Sequence, residues 1–564
     1  MSHYLFERHQ ATLESAVRAV KERGYWSAYS EVPSTKIYGD TASEEGKTAF
    51  DALLGKPFAL KQSATIGQTG AEISPYGTAL NILYPKADQK QLLIAAQEAA
   101  SSWRLAGPEI WSGVALEILQ RLNRRSFEMA HAVMHTTGQA FMMAFQAGGP
   151  HAQDRGLEAV AYAWEQMSQI PATARWEKPQ GKNPALLMRK NYHIVPRGIG
   201  LVIGCCTFPT WNSYPGLFAN LATGNAVIVK PHPGAILPLA ITVAVAREVL
   251  QEAGLNPDVV TLLAHDADDQ SVFDLITHPS IGLIDFTGST QNGNLIERSA
   301  HQAQVFTEKA GVNQIIVDST DDYRGMLKNI AFSLSLYSGQ MCTAPQNIYI
   351  PKAGIDTSEG HRSFDQVVGD LADSVRKLTA DPARAVEVLG AIQNAIVLNN
   401  IYSARSCGEV ILDSQPLVHP LYPDARIHTP LLVKITDQND PRIQHEYFGP
   451  VAFCISTESS YASINLAETI AKKQGALTLS VYSINSLILA DAEDAAVNAG
   501  VALSINLTGG VFVNQSAAFS DYHGSGANPA ANATLSDTAF VANRFRVVQT
   551  RRHIAASQTE QNKE

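Results

Sequence analysis

The stretch GIGLVIGCCTFPTWNSYPGLFANLATGNAVIVKP, residues 198–231, decides the fold. Ile199–Ile203 and Ala226–Val229 are short, uninterrupted apolar runs, and between them Tyr214–Thr223 reads as a helix. Apolar strands separated by a helix imply a βαβ unit and a parallel sheet buried on both faces. The alternation continues downstream. Val259–Leu263 and Leu283–Phe286 read as further strands, and Leu237–Ala253 and Asn292–Ala303 as helices. Gly254 stands where a helix is expected to end on glycine. The pattern is that of a Rossmann-type, dinucleotide-binding α/β domain. The glycines at 198, 200 and 204 run through the strand rather than after it, so they read as close-packing positions and not as a phosphate-binding fingerprint.

Upstream, Trp111, Val114, Ile118, Leu119 and Leu122 recur at helical spacing, as do Phe127, Ala130, Val133 and Met134, so residues 90–150 read as a helical layer. Residues 1–60 read as an N-terminal extension with a helix over Ala11–Glu22 and a polar loop over Glu31–Glu45. A second α/β stretch spans about Gln314–Asn506. Phe545–Val548 reads as a late strand, ahead of a polar tail Ala555–Glu564 expected to be disordered. The polar segment Arg175–Lys190 reads as a hairpin that pairs with the late strand of another subunit.

The chain has 564 residues, enough for about three or four domain-sized units. Apolar content of 45% and charged content of 17% are those of a globular protein, and the net charge of −10 disfavours nucleic acid as a partner. No apolar run is long enough to span a membrane, and Glu7 and Arg8 fall where a signal peptide needs apolar residues. The five cysteines show no CxxC spacing, and the histidines no metal spacing, so neither a disulfide framework nor a metal site is read. The expectation is a cytoplasmic protein without membrane or nucleic-acid partners.

Three segments carry candidate chemistry. In Gly339-Gln340-Met341-Cys342, a cysteine follows a glycine turn; it is either a nucleophile or an inert core thiol. In Thr307-Glu308-Lys309-Ala310-Gly311, a glutamate ends an apolar strand; it is either a half-buried general base or an exposed carboxylate. Phe286-Thr287-Gly288-Ser289-Thr290-Gln291-Asn292-Gly293 follows a strand and opens a helix, which suits a pyrophosphate at a helix N-terminus.

With Cys206-Thr207-Phe208-Pro209, Gly224–Pro231 and Glu446-Tyr447-Phe448-Gly449-Pro450-Val451, these segments stand in an order that resembles the aldehyde dehydrogenase superfamily over about residues 90–550. The resemblance implies a cofactor domain (61–174 and 194–307), a catalytic domain (308–506), and an oligomerisation arm with the C-terminal segment (175–193 and 507–554). It also implies that Cys342 is the nucleophile and Glu308 the general base. Thr207 falls at the oxyanion position. Lys230 would hold the adenosine ribose, Gly288 and Ser289 the pyrophosphate, and Glu446 and Phe448 the nicotinamide end. The implied activity is oxidation of an aldehyde to an acid through a cysteine thioester, with NADP or NAD, in a homodimer or homotetramer.

Three departures matter. Thr207 replaces the family's usual Asn, so either Thr207 or the nearby Asn212 supplies the oxyanion donor, or the enzyme is slow. Pro233 replaces a Glu that would repel a 2′-phosphate, which leaves NADP admissible. Lys309 follows the base and is expected to point to solvent. Cys205 and Cys206 read as core packing, and His523 as a loop residue or part of the substrate mouth. Within the superfamily the chain resembles the stand-alone PaaN-type proteins of phenylacetate degradation, which implies a CoA-linked semialdehyde as substrate. A CoA-acylating dehydrogenase and a catalytically silent binding protein stand as alternatives. The retained Glu308 argues against the first, and Cys342 together with Glu308 against the second.

Overall fold

The computed structural model describes residues 3–269, 272–309 and 311–554. Ala310 of the Glu308 motif and the tail Ala555–Glu564 lie outside them.

The extension folds mainly as α1 (His3–Glu22), which packs on α2 (Pro108–Arg124) and on the helix Pro150–Ser168. The apolar spacing read in the sequence falls on the buried faces of α2 and α3 (Ser126–Thr137). The helical layer continues past residue 150 as α4 (Pro150–Ser168). Buried polar residues interrupt the apolar spacing of α4. Arg155 and Glu158 pair there at 2.9 Å, and Asp154 accepts from Ser27 Oγ at 2.6 Å and from the Ala28 N–H at 3.0 Å.

Next come the hairpin β1 (Thr173–Gln180) and β2 (Asn183–Pro196), then β3 (Ile199–Ile203), α5 (Pro209–Ala222), β4 (Ala226–Lys230), α6 (Leu237–Glu252) and β5 (Val260–Leu262). They are followed by β6 (Ile281–Thr287), α7 (Thr290–Ser299) and β7 (Gln304–Glu308). Strands β3 to β7 form a parallel sheet in the order β5-β4-β3-β6-β7. Every residue of β3 is buried, as its unbroken apolar run requires. Gly254, at φ +73°, follows α6 as expected.

The second sheet contains β8 (Asn313–Val317), β9 (Pro345–Pro351), β10 (Glu409–Leu412), β11 (Leu431–Ile435), β12 (Val451–Thr457), β13 (Thr478–Tyr482) and β14 (Ala502–Ile505). Its order is β10-β11-β12-β9-β8-β13-β14, parallel except for β10 against β11. β7 ends one sheet and β8 begins the other, so Glu308 lies at their seam.

The late strand β15 (Phe545–His553) pairs antiparallel with β2 of its own chain, from Phe545↔Pro196 to His553↔Met188. The expected pairing with another subunit is thereby corrected: nine successive register pairs are satisfied within one chain. Arg544 anchors the base of this arm. It is fully buried and holds Asp285 of β6 through Nη1 at 2.9 Å and Nη2 at 2.6 Å.

Candidate active site

Cys342 follows a turn with unusual backbone. Tyr337, Ser338 and Gly339 all have left-handed φ, at +52°, +49° and +61°. Two consecutive non-glycine residues in that region cost of order 1–3 kcal/mol each and persist only where the surroundings enforce them. Here three buried side chains do so. Tyr337 Oη donates to the Thr137 carbonyl (2.5 Å), Ser338 Oγ to Leu389 O (3.0 Å) and Gln340 Nε2 to Ala391 O (2.9 Å). Glycine is required at 339, because a Cβ there would lie 2.3 Å from Gly449 O. Asn313 Nδ2 donates to the Cys342 carbonyl (2.7 Å) and fixes the peptide on its far side.

Glu308 ends β7 and is buried. Its Oε2 accepts from Asn212 Nδ2 at 3.1 Å and lies 3.2 Å from His523 Nε2. Burial pushes the carboxyl up, but the charge and hydrogen bond of His523, with hydrogen bonds from the Cys342 thiol and Asn212, outweigh it and hold Glu308 below the ordinary glutamate value. Cys342 moves the opposite way: burial, then the Glu308 charge, push its thiol well up. The resting pair is therefore a neutral thiol facing an ionised carboxylate.

His523 and Asn212 are the residues that sequence reasoning undervalued. His523 comes from the loop Phe519–Asn532, which is stitched to both sheets. Thr307 N–H donates to Asn532 Oδ1 (2.7 Å), Lys309 N–H to Ala530 O (2.6 Å) and Asn528 Nδ2 to Ala476 O (2.9 Å). No local pattern marks His523. Asn212 lies one helical turn into α5, on the strand-to-helix connection already singled out, and that position was its only signal.

Thr207 sits differently. Its hydroxyl is directed at the Cys205 sulfur, 3.9 Å away, and its carbonyl accepts from Gln139 Nε2 (2.8 Å). Asn212, by contrast, lines the cavity shared with Cys342. Lys309 does not reach solvent. It is buried, with Nζ 3.0 Å from Glu297 Oε1 and donating to Asn294 Oδ1 (3.0 Å), because its stem packs across Gly293 of α7. Cys205 packs in a small apolar cluster near Phe208 and Tyr337, as expected, and burial pushes the Cys206 thiol up to about 12.

Of the other candidate residues, Lys230, Gly288 and Ser289 lie at the C-terminal ends of β4 and β6 in the first parallel sheet, and Glu446 and Phe448 in the segment that leads into β12. Lys230 ends β4, and burial lowers it to about 8. Beside it His265 donates Nδ1–H to Asp266 O (2.8 Å), and its buried Nε2 has no partner among the described residues. Ser289 caps α7 by accepting from the Asn292 N–H (3.3 Å), and Gly288 donates its N–H to Glu308 O (3.1 Å). Glu446 is pushed up to about 8 by burial while accepting from the Gly311 N–H. The carbonyl of Phe448 accepts from Asn400 Nδ2 (2.9 Å).

The family model of the aldehyde dehydrogenase family matches residues 68–529. The chain belongs to the aldehyde dehydrogenase family. It is therefore an oxidoreductase acting on aldehydes. A crystal structure of an NAD-dependent aldehyde dehydrogenase from Burkholderia multivorans is 64% identical, covers 98% of this chain and 100% of its own, and superposes with a TM-score of 0.97. A 1-pyrroline-5-carboxylate dehydrogenase from Thermus with bound NAD is 20% identical, covering 94% and 99%, with a TM-score of 0.72; that likeness is one of fold. The 1-pyrroline-5-carboxylate dehydrogenase 2 of Bacillus subtilis is 25% identical over 453 residues, 76% of this chain and 82% of its own.

The nicotinamide dinucleotide that the family implies fits the sheet edge. Lys230 is a half-buried cation with no ion pair among the described residues, and the orphaned His265 Nε2 beside it is an acceptor awaiting a hydroxyl. The start of α7, capped by Ser289, is a helix N-terminus of the kind that suits a pyrophosphate.

Proposed function

We propose that this aldehyde dehydrogenase oxidises an aldehyde to a carboxylic acid with an NAD(P) cofactor, through a Cys342 thioester that Glu308 resolves with water. The observation that carries the reading is the pairing of the Cys342 thiol, which lines a cavity of about 750 Å³, with a buried, ionised glutamate behind it.

As Cys342 Sγ attacks the aldehyde carbon, its proton passes to Glu308 and on to solvent. Burial and the Glu308 charge keep the resting sulfur protonated, so transfer accompanies attack. The oxyanion accepts from the Cys342 N–H and from the second N–H of the Asn212 amide, whose first serves Glu308. A bound nicotinamide supplies the hydride acceptor. Glu308, ionised again, takes a proton from water as the water adds to the thioester, and Cys342 leaves. Lys230, Gly288 and Ser289 would hold the adenosine ribose and pyrophosphate, and Glu446 and Phe448 the nicotinamide end. The absence of a carboxylate at Pro233 keeps NADP open beside NAD, which the Burkholderia relative's name specifies.

The cavity supports a long, uncharged chain bearing the aldehyde at its tip. Met142, Met143, Trp211, Phe332 and Phe512 give it apolar walls. Glu31, Asp154, Glu387 and Asp521 supply its charge, and no Lys or Arg is among the described lining residues. A CoA-linked semialdehyde from phenylacetate breakdown suits this only with its acyl chain inside and its phosphates outside. The arm exposes Leu186, Val547 and Val548, which supports a homodimer or homotetramer. No helix of the described residues is long and apolar enough to cross a membrane.

The test is Cys342→Ser beside Glu308→Gln, with free and CoA-linked aldehydes and both cofactors. The first abolishes oxidation. The second gives a burst of reduced cofactor and then stalls. Turnover by Cys342→Ser would end the reading.

A further inference from the structure

The sequence shows no metal-ligand spacing, yet the fold brings a sulfur, a carboxylate oxygen and an imidazole nitrogen to one point. Cys342 Sγ, a Glu308 oxygen and a His523 ring nitrogen lie within 4.8 Å of one another. Glu308 and His523 are buried; Glu308 Oε2 already faces His523 Nε2 at 3.2 Å, while Glu308 Oε1 has no hydrogen-bond partner among the described residues. Buried polar atoms are seldom left unsatisfied, so an open carboxylate oxygen beside an imidazole and a thiol marks a place built to hold something.

We propose that Cys342, Glu308 and His523 form a three-ligand site for Zn2+ and that its occupancy switches the enzyme off. Zinc takes thiolate at about 2.3 Å and imidazole or carboxylate at about 2.0–2.2 Å in a tetrahedron, with the fourth position open when the protein supplies three ligands. The three donor atoms need to close by only about 1 Å to reach that spacing. A thiolate with an imidazole selects Zn2+ over Mg2+ and Ca2+, which take oxygen ligands. The ligands are already oriented from behind. Asn212 Nδ2 holds Glu308, Asn313 Nδ2 holds the Cys342 carbonyl, and the Trp211 ring stands edge-on to His523 at 4.6 Å and 80°. Cys342 and His523 both line the cavity, which gives the ion a route in.

Binding replaces protons with the metal: the S–H bond breaks and an S–Zn bond forms, the thiol proton and the proton of a charged His523 imidazole leave to solvent, and nothing is oxidised or reduced. The metal then occupies the lone pair that would attack the aldehyde and the carboxylate that would take the proton. Loss of oxidation follows, reversed by a chelator.

The experiment uses chelator-stripped full-length protein. Co2+ titration gives a thiolate-to-metal charge-transfer band and the visible bands of four-coordinate Co2+. Zn2+, followed against a chromophoric chelator, displaces it at one equivalent. His523→Gln weakens Zn2+ binding by more than about 100-fold, beyond the 10–100-fold of losing an outer partner. X-ray absorption of Zn2+-loaded wild type needs no variant and shows one sulfur with nitrogen and oxygen ligands. Co2+ bound without a thiolate band, a zinc shell without a single sulfur, or unchanged affinity in His523→Gln each overturns the site. Turnover by metal-free enzyme is a separate readout, so failure of the catalytic reading is distinguished from failure of this one.

Discussion

Which side chain holds the oxyanion is open to a direct contrast between Thr207→Ala and Asn212→Ala. The Thr207 hydroxyl has only the long contact to Cys205 Sγ at 3.9 Å, so its removal gives up at most one weak neutral hydrogen bond. Such a bond is worth about 0.5–1.5 kcal/mol, or at most roughly tenfold in rate. Asn212 lines the Cys342 cavity and keeps one amide hydrogen beyond the one donated to Glu308 at 3.1 Å. Losing a true oxyanion donor costs about 2.7–4 kcal/mol, or 10²–10³ in kcat. The assay is rapid mixing with saturating aldehyde and cofactor, following the first turnover at the nicotinamide absorbance. It is run well above the carboxylate range, so that the ionisation of Glu308 does not enter. Thr207→Ala stays within about tenfold of wild type and Asn212→Ala falls at least about 100-fold. The reverse order refutes the assignment. Two near-normal variants would leave the Cys342 N–H as sole donor.

His523→Asn removes the charge and hydrogen bond that hold Glu308 below its ordinary value, so the Glu308 carboxyl moves up. Because the base works ionised, the acid limb of the kcat–pH profile moves to higher pH while the alkaline plateau is kept; an unmoved limb refutes it. Arg544→Met leaves Asp285 charged and buried without its partner, at a cost of about 3–5 kcal/mol read from urea unfolding. Adding Asp285→Asn recovers part of that loss. Trp26 lines the cavity from the N-terminal extension and meets Phe519 edge-on at 4.7 Å. Each added methylene of a linear aldehyde is worth up to about 0.8 kcal/mol, near fourfold in kcat/KM. In Trp26→Ala that gain flattens for long chains and is unchanged for short ones.

The sheets were legible because burial on both faces leaves a simple trace: β3 and β4 are unbroken apolar runs, and both fall where the runs are. Helix α4 was less so, because Asp154, Arg155 and Glu158 are buried by satisfying one another and neighbouring chain, and periodicity registers only apolar burial. Cys342 and Glu308 were singled out from motifs far apart in the sequence, and the fold brings them together. His523 was not, since its place depends on a loop tied to two sheets by backbone and asparagine hydrogen bonds. Lys309 misled because a lysine beside a strand end is usually solvated; Gly293 opens a slot for its stem, and Glu297 waits at the end of it.

The left-handed turn ahead of Cys342 constrains how this catalyst can change over time. Tyr337, Ser338 and Gly339 are held by their shape and their clamps, not by any contact with a reacting atom. Variation there offers no gradation between a correctly presented sulfur and a misplaced one, so random libraries over this tripeptide should return almost no intermediates. The cavity walls are supplied by separate segments, including one from the N-terminal extension, and each is free to vary alone. New substrate ranges would thus be reached by drift in the walls around a Cys342 sulfur that stays frozen.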